Sequence, residues 1–391
     1  RIDDVVSKIR GKKGTKVTLK VKKQDGTIKL ITIVRDEVIM DEGFARSALL
    51  KQEGKDDKIG YIKLPRFYAD FNDPNSPSAA KDIAEELNKL KKEGATSLIL
   101  DLRNNGGGSL QEVVDMSGLF IDEGPVVQVK DRRGIRPYND PDKNVFFDGP
   151  MVILVNSNSA SASEIISACL QDYKRAVIVG GEPTFGKGSV QQFRNLDQLT
   201  NNSNMKPLGE MKVTIQKYYR VSGGSVQLKG VEPDILLPDT YSYIVNGEKE
   251  YKHPLPYDII DKQNFSPNTF VIDNLEEVAS KSKQRINSNP VFGLIDENAK
   301  RLAKSRDETE VNLEISKYKS FINQRKEEIK KFEKIGDQAI SNMKVENLQE
   351  DLAYIQTDSS KIARNDDFLK SLNKDMYVYE SMNILRDIRK K

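Results

Sequence analysis

The chain contains one histidine, one cysteine and no tryptophan. The single His253 lies in Tyr251-Lys-His-Pro-Leu-Pro256, a proline-bracketed loop far from the serine-rich part of the sequence, so a Ser-His-Asp device would have to recruit it from a distance. One cysteine excludes an internal disulfide and a cysteine-rich metal site. Cys169, within the apolar run Ile165-Ile-Ser-Ala-Cys-Leu170, reads as a small core side chain rather than a reactive thiol. No apolar run is long enough to span a bilayer, and the longest, such as Met151-Val-Ile-Leu-Val155, have the length of a strand. An excess of one charge is lacking as well: 62 Lys and Arg stand against 59 Asp and Glu, a net charge of +3. No dense basic block carries interleaved aromatics, which argues against nucleic-acid binding. The chain opens on Arg1 without a secretory signal, inside what reads as a structural unit, so the absence of that signal is silent about export.

At 391 residues, with 37% hydrophobic and 31% charged, the chain has room for two or three domains with ordinary cores and a highly charged surface. Residues 3–9 read as a short helix, 11–14 as a turn, and the alternating Val17, Leu19 and Val21, followed by residues 28–34, as two strands. From about residue 36 to 240 the pattern alternates between strand and helix. Residues 59–64 form a strand and 78–93 an amphipathic helix capped by Ser78; a buried strand at 97–101 runs into Gly106-Gly-Gly108, and Ser109 opens another helix. Strand 151–155, helix 161–173 and strand 176–180 follow in βαβ order, which predicts an α/β core. Beyond Tyr241 the character changes. Pro254 and Pro256 mark a linker, and 275–286, 290–302, 311–335 and 368–388 read as helices rich in Lys and Glu, with charge runs such as 326–334 as their solvated faces. The predicted division is therefore 1–36, 37–240 and 241–391.

Three segments carry the chemistry. Ser159-Ala-Ser-Ala-Ser-Glu164 offers a serine nucleophile, and Gly181-Glu-Pro-Thr-Phe-Gly-Lys-Gly-Ser-Val-Gln-Gln192 offers Lys187 as its base, a role a neutral buried amine fills as well as an imidazole. On propensity alone Ser161 is a helix N-cap, and Lys187 an exposed loop lysine. Gly186 and Gly188, however, allow a tight backbone path that buries the amine. To act as a base near neutral pH, Lys187 needs an apolar pocket with no carboxylate against its ammonium. A helix amino terminus supplies free N–H groups for a developing oxyanion, which makes the Ala162 amide one candidate donor. The second comes from Asp101-Leu-Arg-Asn-Asn-Gly-Gly-Gly108, where Gly106 or Gly107 lets the backbone approach a substrate carbonyl. No Walker pattern or G-x-G-x-x-G fingerprint is present, so a nucleotide site is not indicated. Asp140-Pro-Asp142 and Asp56-Asp57 lack partners at metal spacing and read as solvated turns, so no metal or other cofactor is implied.

In this order and spacing, the three segments resemble the carboxyl-terminal processing proteases. The resemblance runs nearly end to end, since Gly223-Gly-Ser-Val-Gln-Leu-Lys-Gly-Val-Glu-Pro-Asp-Ile235 and the Lys-rich tail are similar to the long bacterial, tail-specific branch of that family. It implies a crotonase/ClpP-like α/β protease core, preceded by the carboxy-terminal half of a PDZ domain and followed by a mainly helical C-terminal domain. A PDZ domain takes a peptide as an added strand, and its carboxylate-binding loop would lie before Arg1. The family motif places the nucleophile on Ser161, leaves Ser159 and Ser163 as capping or packing residues, and gives Gln191 the task of orienting the Lys187 amine. Direct contact between Gln191 and Lys187 requires a curved local path. The interval from Ser161 to Lys187 is one residue longer than is usual in the family, which the glycine pair Gly180-Gly181 absorbs. The resemblance also marks Asp172; about 16 Å of helix rise separates it from Ser161, so it reads as structural support. Polypeptides with exposed apolar C-termini are the implied substrates, an adaptor protein a further implied partner, and the bacterial periplasm or cell envelope the implied compartment. Two alternatives stand beside this reading: a non-catalytic peptide-binding or chaperone-like scaffold, and a crotonase-like acyl-CoA enzyme.

Overall fold

The computed structural model describes residues 2–22, 27–36, 41–69, 76–267, 269–332, 335 and 339–388. The chain groups into two compact units, 1–43 and 44–391. In the first, α1 (Ile2–Ile9) is followed by the antiparallel pair β1 (Lys16–Lys22) and β2 (Ile28–Val34), with Val17 opposite Ile33. Arg35 closes this unit: its Nε donates to the Ile9 carbonyl at 2.6 Å and its Nη2 to that of Lys8 at 3.1 Å, satisfying the last carbonyls of α1. Residue 37, where the second predicted division begins, lies outside the described residues.

The second unit is built on a seven-stranded sheet. Its chain order begins with β3 (Arg46–Gln52), β4 (Ile59–Lys63), α2 (Ala79–Lys92), β5 (Ser97–Asp101) and α3 (Leu110–Gly118). Next come β6 (Gly124–Asp131), β7 (Gly134–Asp140), β8 (Met151–Val155), α4 (Ala162–Asp172), β9 (Val177–Gly180), β10 (Ser189–Asn195), β11 (Glu210–Tyr219) and β12 (Ile235–Leu236). The C-terminal part holds α5 (Leu275–Ser288), α6 (Pro290–Asp307), α7 (Ile315–Lys330), β13 (Met343–Glu346), α8 (Gln349–Ile355), α9 (Ser359–Leu372) and α10 (Met376–Ile388). The large sheet runs β12-β9-β8-β5-β4-β3-β13, parallel from β12 to β4, while β10-β11-β6-β7 form a second, antiparallel sheet.

Both faces of the parallel strands are covered, and this explains why β5 and β8 read as unbroken apolar runs rather than alternating ones. Leu98, Leu100, Met151 and Ile153 point into a core shared with α2, α3 and α4. The intervening Ile99, Val152 and Leu154 point into a second core shared with Val378, Met382 and Leu385 of α10, and with Val278 and Phe292 of α5 and α6. Residues 241–391 therefore do not pack apart from the core: they supply one of its layers and an edge strand, β13, paired antiparallel to β3. Neither β13 nor α8 is visible in the sequence pattern. The predicted helix 368–388 is two helices, because Asp375 caps the second by accepting from the Tyr377 and Val378 amides at 2.9 and 3.2 Å. The predicted helix 311–335 shortens to α7, and residues 333–334 of its charge run lie outside the described residues.

Asp140 corrects the expectation of a solvated turn. It is the last residue of β7, is 7% exposed, and burial pushes its pKa up to about 6. Gly118 makes room for it, since a Cβ there would sit 2.7 Å from the Asp140 carboxyl carbon. Asp57, by contrast, is paired, accepting from Arg386 at 3.0 Å. Among the described residues no helix is long and apolar enough to cross a membrane.

Because the C-terminal layer and the sheet share one core, Leu385→Ala, which empties a fully buried site on α10, is expected to lower the unfolding free energy by about 2–5 kcal/mol. Urea unfolding followed by far-UV circular dichroism measures the loss.

Candidate active site

Three loops converge at the carboxyl ends of parallel strands. The glycine loop follows β5, the serine turn follows β8, and the lysine loop follows β9. Ser161 stands immediately before α4 with φ +57° and ψ −112°. A non-glycine residue held there stores roughly 1–3 kcal/mol, and a strained strand-to-helix turn of this kind lifts a serine hydroxyl out of its helix.

A carboxylate holds that strain. Glu164, with no solvent exposure, accepts from the Ser161 amide at 2.8 Å and the Lys187 amide at 3.0 Å, both through Oε2. Its Oε1 accepts from the Thr184 hydroxyl and the Gly186 amide, each at 2.7 Å. One oxygen thus binds both segments, and the Ser161 and Lys187 nitrogens lie no more than about 6 Å apart. Tyr218, on β11 and fully buried, repeats the clasp from the acceptor side: its hydroxyl contacts the Ser161 carbonyl at 3.2 Å and also donates to the Lys187 carbonyl. Burial pushes the Glu164 pKa up to about 7 against these donors, and raises that of the Tyr218 hydroxyl.

The lysine side chain is half-buried. Burial lowers its pKa, the Lys212 ammonium adds to the shift, and Glu248 and Glu164 oppose it. Carboxylates do lie near Lys187, contrary to the expectation of none, but Glu164 engages its backbone. Among the described residues the Lys187 ammonium forms no ion pair or hydrogen bond, and none links it to the Ser161 side chain.

Gly107 has φ +99°, and a Cβ there would lie 2.7 Å from the Ser161 Cβ and 2.8 Å from the Ala160 carbonyl oxygen. Its amide donates to Asn105 Oδ1 at 2.9 Å, so it is occupied within the loop. The amides of Gly106 and Ala162 have no acceptor among the described residues. The glycine loop and the serine turn are knitted together: the Ala160 amide and the Ser163 hydroxyl donate to the Asn105 carbonyl at 3.0 and 2.8 Å, and the Ser159 hydroxyl donates to that of Leu102 at 2.8 Å. Gln191 is exposed on β10, next to an irregularity in the β10–β11 register, and its amide donates to Thr214 Oγ1 at 3.4 Å; no described contact joins it to Lys187. Asp172, at the end of α4, ion-pairs with Arg220 at 2.5 Å and accepts from the Ser222 hydroxyl at 2.9 Å. His253 is exposed in its loop. Sequence reasoning missed Glu164 and Tyr218. Glu164 had a legible signal, the Ser-x-x-Glu spacing of a capping box, whereas Tyr218 had none.

Residues 58–237 match peptidase family S41, and residues 241–390 match the C-terminal domain of tail specific protease (DUF3340). The chain belongs to peptidase family S41, a family of serine peptidases, and the second match places it in the tail-specific branch. It is 41% identical to the tail-specific protease of Haemophilus influenzae over 312 residues, which cover 78% of this chain and 43% of that protein. It is 33% identical to a carboxyl-terminal-processing protease of Picosynechococcus over 63% of this chain and 55% of that one, and 34% identical to the carboxy-terminal processing protease CtpA of Bacillus subtilis over 64% and 49%. The chain thus spans about half the length of these relatives. Among solved structures, the photosystem II D1 C-terminal processing protease matches with a TM-score of 0.41 at 28% identity, over 60% of this chain and 59% of that one.

Glu164→Gln places an amide –NH2 against two donors in either orientation. It is expected to reduce proteolysis at least tenfold and stability by about 1–3 kcal/mol, read by cleavage assay and thermal unfolding. Gly107→Ala, combining a positive φ with a clash against Ser161, is expected to reduce cleavage more than it reduces the melting temperature, measured on the same two instruments.

Proposed function

We propose that the chain is the catalytic part of an ATP-independent serine endopeptidase with a Ser/Lys dyad, acting on polypeptides selected by exposed apolar C-termini. One observation carries the reading: a single Glu164 oxygen binds the amides of both Ser161 and Lys187, which fixes the backbones of nucleophile and base while leaving their side chains unspent. The Ser161 hydroxyl attacks the scissile carbonyl and passes its proton to the neutral Lys187 amine. The oxyanion that forms is held by the Ala162 amide and the amide of Gly106, Gly107 being occupied by Asn105. Lys187 then returns the proton to the leaving amine, which departs from a serine ester. A water, deprotonated by Lys187, hydrolyses that ester and restores both side chains. Asp172 supports the far end of α4 through Arg220, whereas Gln191, expected to orient the Lys187 amine, is exposed on β10 and bonded to Thr214.

The substrate class rests on the resemblance and on relatives named for tail-specific and carboxyl-terminal processing. We read the three-layer unit as a crotonase/ClpP-like core, and α1 with its hairpin as the carboxy-terminal half of a PDZ domain. The compartment we assign, the bacterial periplasm or cell envelope, follows from the same resemblance.

Ser161→Ala is expected to abolish cleavage of casein and of a C-terminally tagged protein, and persisting cleavage would remove Ser161 from the mechanism. Because burial lowers the Lys187 pKa, the neutral amine gains population as pH rises, so the cleavage rate should increase with pH through neutrality. Lys187→Arg should fail as completely as Lys187→Ala, since a guanidinium keeps its proton at any usable pH. Near-normal turnover by the arginine variant would show that position 187 supplies charge alone.

A further inference from the structure

The glycine loop is tied at its base to the C-terminal helical layer. Asp101, the last residue of β5 and fully buried, is gripped by Arg103: the Arg103 amide and Nε donate to Oδ1 at 2.9 Å each, and Nη2 to Oδ2 at 2.6 Å. The same Nη2 donates to Asp375 Oδ2 at 2.7 Å, while the other oxygen of Asp375 caps α10 through the Tyr377 and Val378 amides. Arg103 is therefore shared between the strand that launches the glycine loop and the first turn of a helix 272 residues further along the chain. Its neighbour Leu102 holds Ser159, and Asn105 holds Ala160 and Ser163, so the tether continues through the loop into the serine turn. The joint is not sealed: a cavity of about 530 Å³ opens beside it, lined by Arg103, Asp375, Met376, Tyr377 and Asp367 among others.

We infer that Asp375 is a positioning residue for catalysis, holding the oxyanion-binding glycine loop in register with Ser161 through Arg103. This rests on the serine-peptidase reading proposed above. A carboxylate at position 375 has two tasks, capping α10 and pairing with Arg103, and these can be separated, because asparagine caps a helix about as well as aspartate does but carries no charge for the guanidinium. A loop displaced by a fraction of an ångström weakens the oxyanion contact in the transition state and leaves ground-state binding in place.

The test compares the full chain with its Asp375→Asn and Arg103→Lys variants, with Asp367→Asn, which lines the same cavity without bonding Arg103, as the control. Two readouts are taken: cleavage kinetics on a tagged protein, and native-state hydrogen exchange over residues 102–109 and 158–164. Both Asp375→Asn and Arg103→Lys are expected to lower kcat by about tenfold with KM unchanged, and to speed exchange in both segments, while Asp367→Asn matches the parent. Unchanged exchange in Asp375→Asn, or exchange that rises while kcat stays within twofold of the parent, would overturn the inference, as would a loss of efficiency carried only by a rise in KM. If the parent chain cleaves nothing while the exchange effect is present, the peptidase reading fails and takes the catalytic role of Asp375 with it. If the parent cleaves and Asp375→Asn cleaves equally well, only the role of Asp375 fails.

Discussion

A carboxylate with no solvent exposure sits beneath Ser161 and Lys187, and the arrangement around it follows from satisfying that one group. Burial alone drives Glu164 toward its neutral form, yet every neighbour that reaches it, from Ser161, Thr184, Gly186 and Lys187, is a donor. A protonated carboxyl would turn a hydrogen against one of them, so the geometry favours the charged form, and the four bonds offset part of the desolvation, which still leaves the pKa raised. The donors come from two chain segments that follow different strands. Meeting all of them at once is what brings the serine turn and the lysine loop together. Since three of the four donors are backbone amides, the side chains of Ser161 and Lys187 are left out of the transaction and remain available for chemistry.

The sheet decides why those segments can meet. In an open parallel sheet the loops that leave the carboxyl ends of neighbouring strands open onto one edge, and β5, β8 and β9 are adjacent. The glycine loop, the serine turn and the path to Lys187 leave from those three ends. Such a sheet has two apolar faces to cover. Helices α2 to α4 cover one, and α10, with α5 and α6, covers the other. The helical tail is thus a condition for the core to exist as a folded sheet, and its ion pair with Arg103 ties that packing layer to the base of the glycine loop.

Much of this was legible locally. Strands β5 and β8 stand where their apolar runs place them, α2 starts at its Ser78 cap, and the three motifs fall on the strand-end loops expected of them. What escaped depends on partners distant in sequence. Met343-Lys-Val-Glu346 has no strand signature of its own and becomes β13 only because β3 offers a free edge. Tyr218 is one aromatic of a hairpin until folding places its hydroxyl between two carbonyls. Asp140 reads as a polar turn beside Pro141, and only the missing side chain of Gly118 explains how a carboxylate comes to be buried there. The break at 373–375 is invisible in the pattern because the apolar period continues across it, while the cap that divides the helices is a single aspartate whose other oxygen is held by Arg103.

The electrostatics of Lys187 show why the motif alone underdetermines the site. Burial is the leading influence on its amine and lowers its affinity for a proton, as a general base requires. The next influence in the same direction is Lys212, an exposed residue on the arm formed by β10 and β11, held over the ring of Phe193 with its ammonium 5.6 Å from the ring centroid. Against these stand Glu164 and Glu248, the latter beyond the catalytic motifs in a short helical turn at Glu248–Glu250. Glu164 is engaged by four donors and Glu248 by Gln227, so neither carboxylate forms an ion pair with the lysine. A carboxylate released from those partners to pair with Lys187 would hold the amine as ammonium. The hydrogen bonds that occupy those carboxylates are therefore as much a requirement for a basic lysine as the burial of its amine.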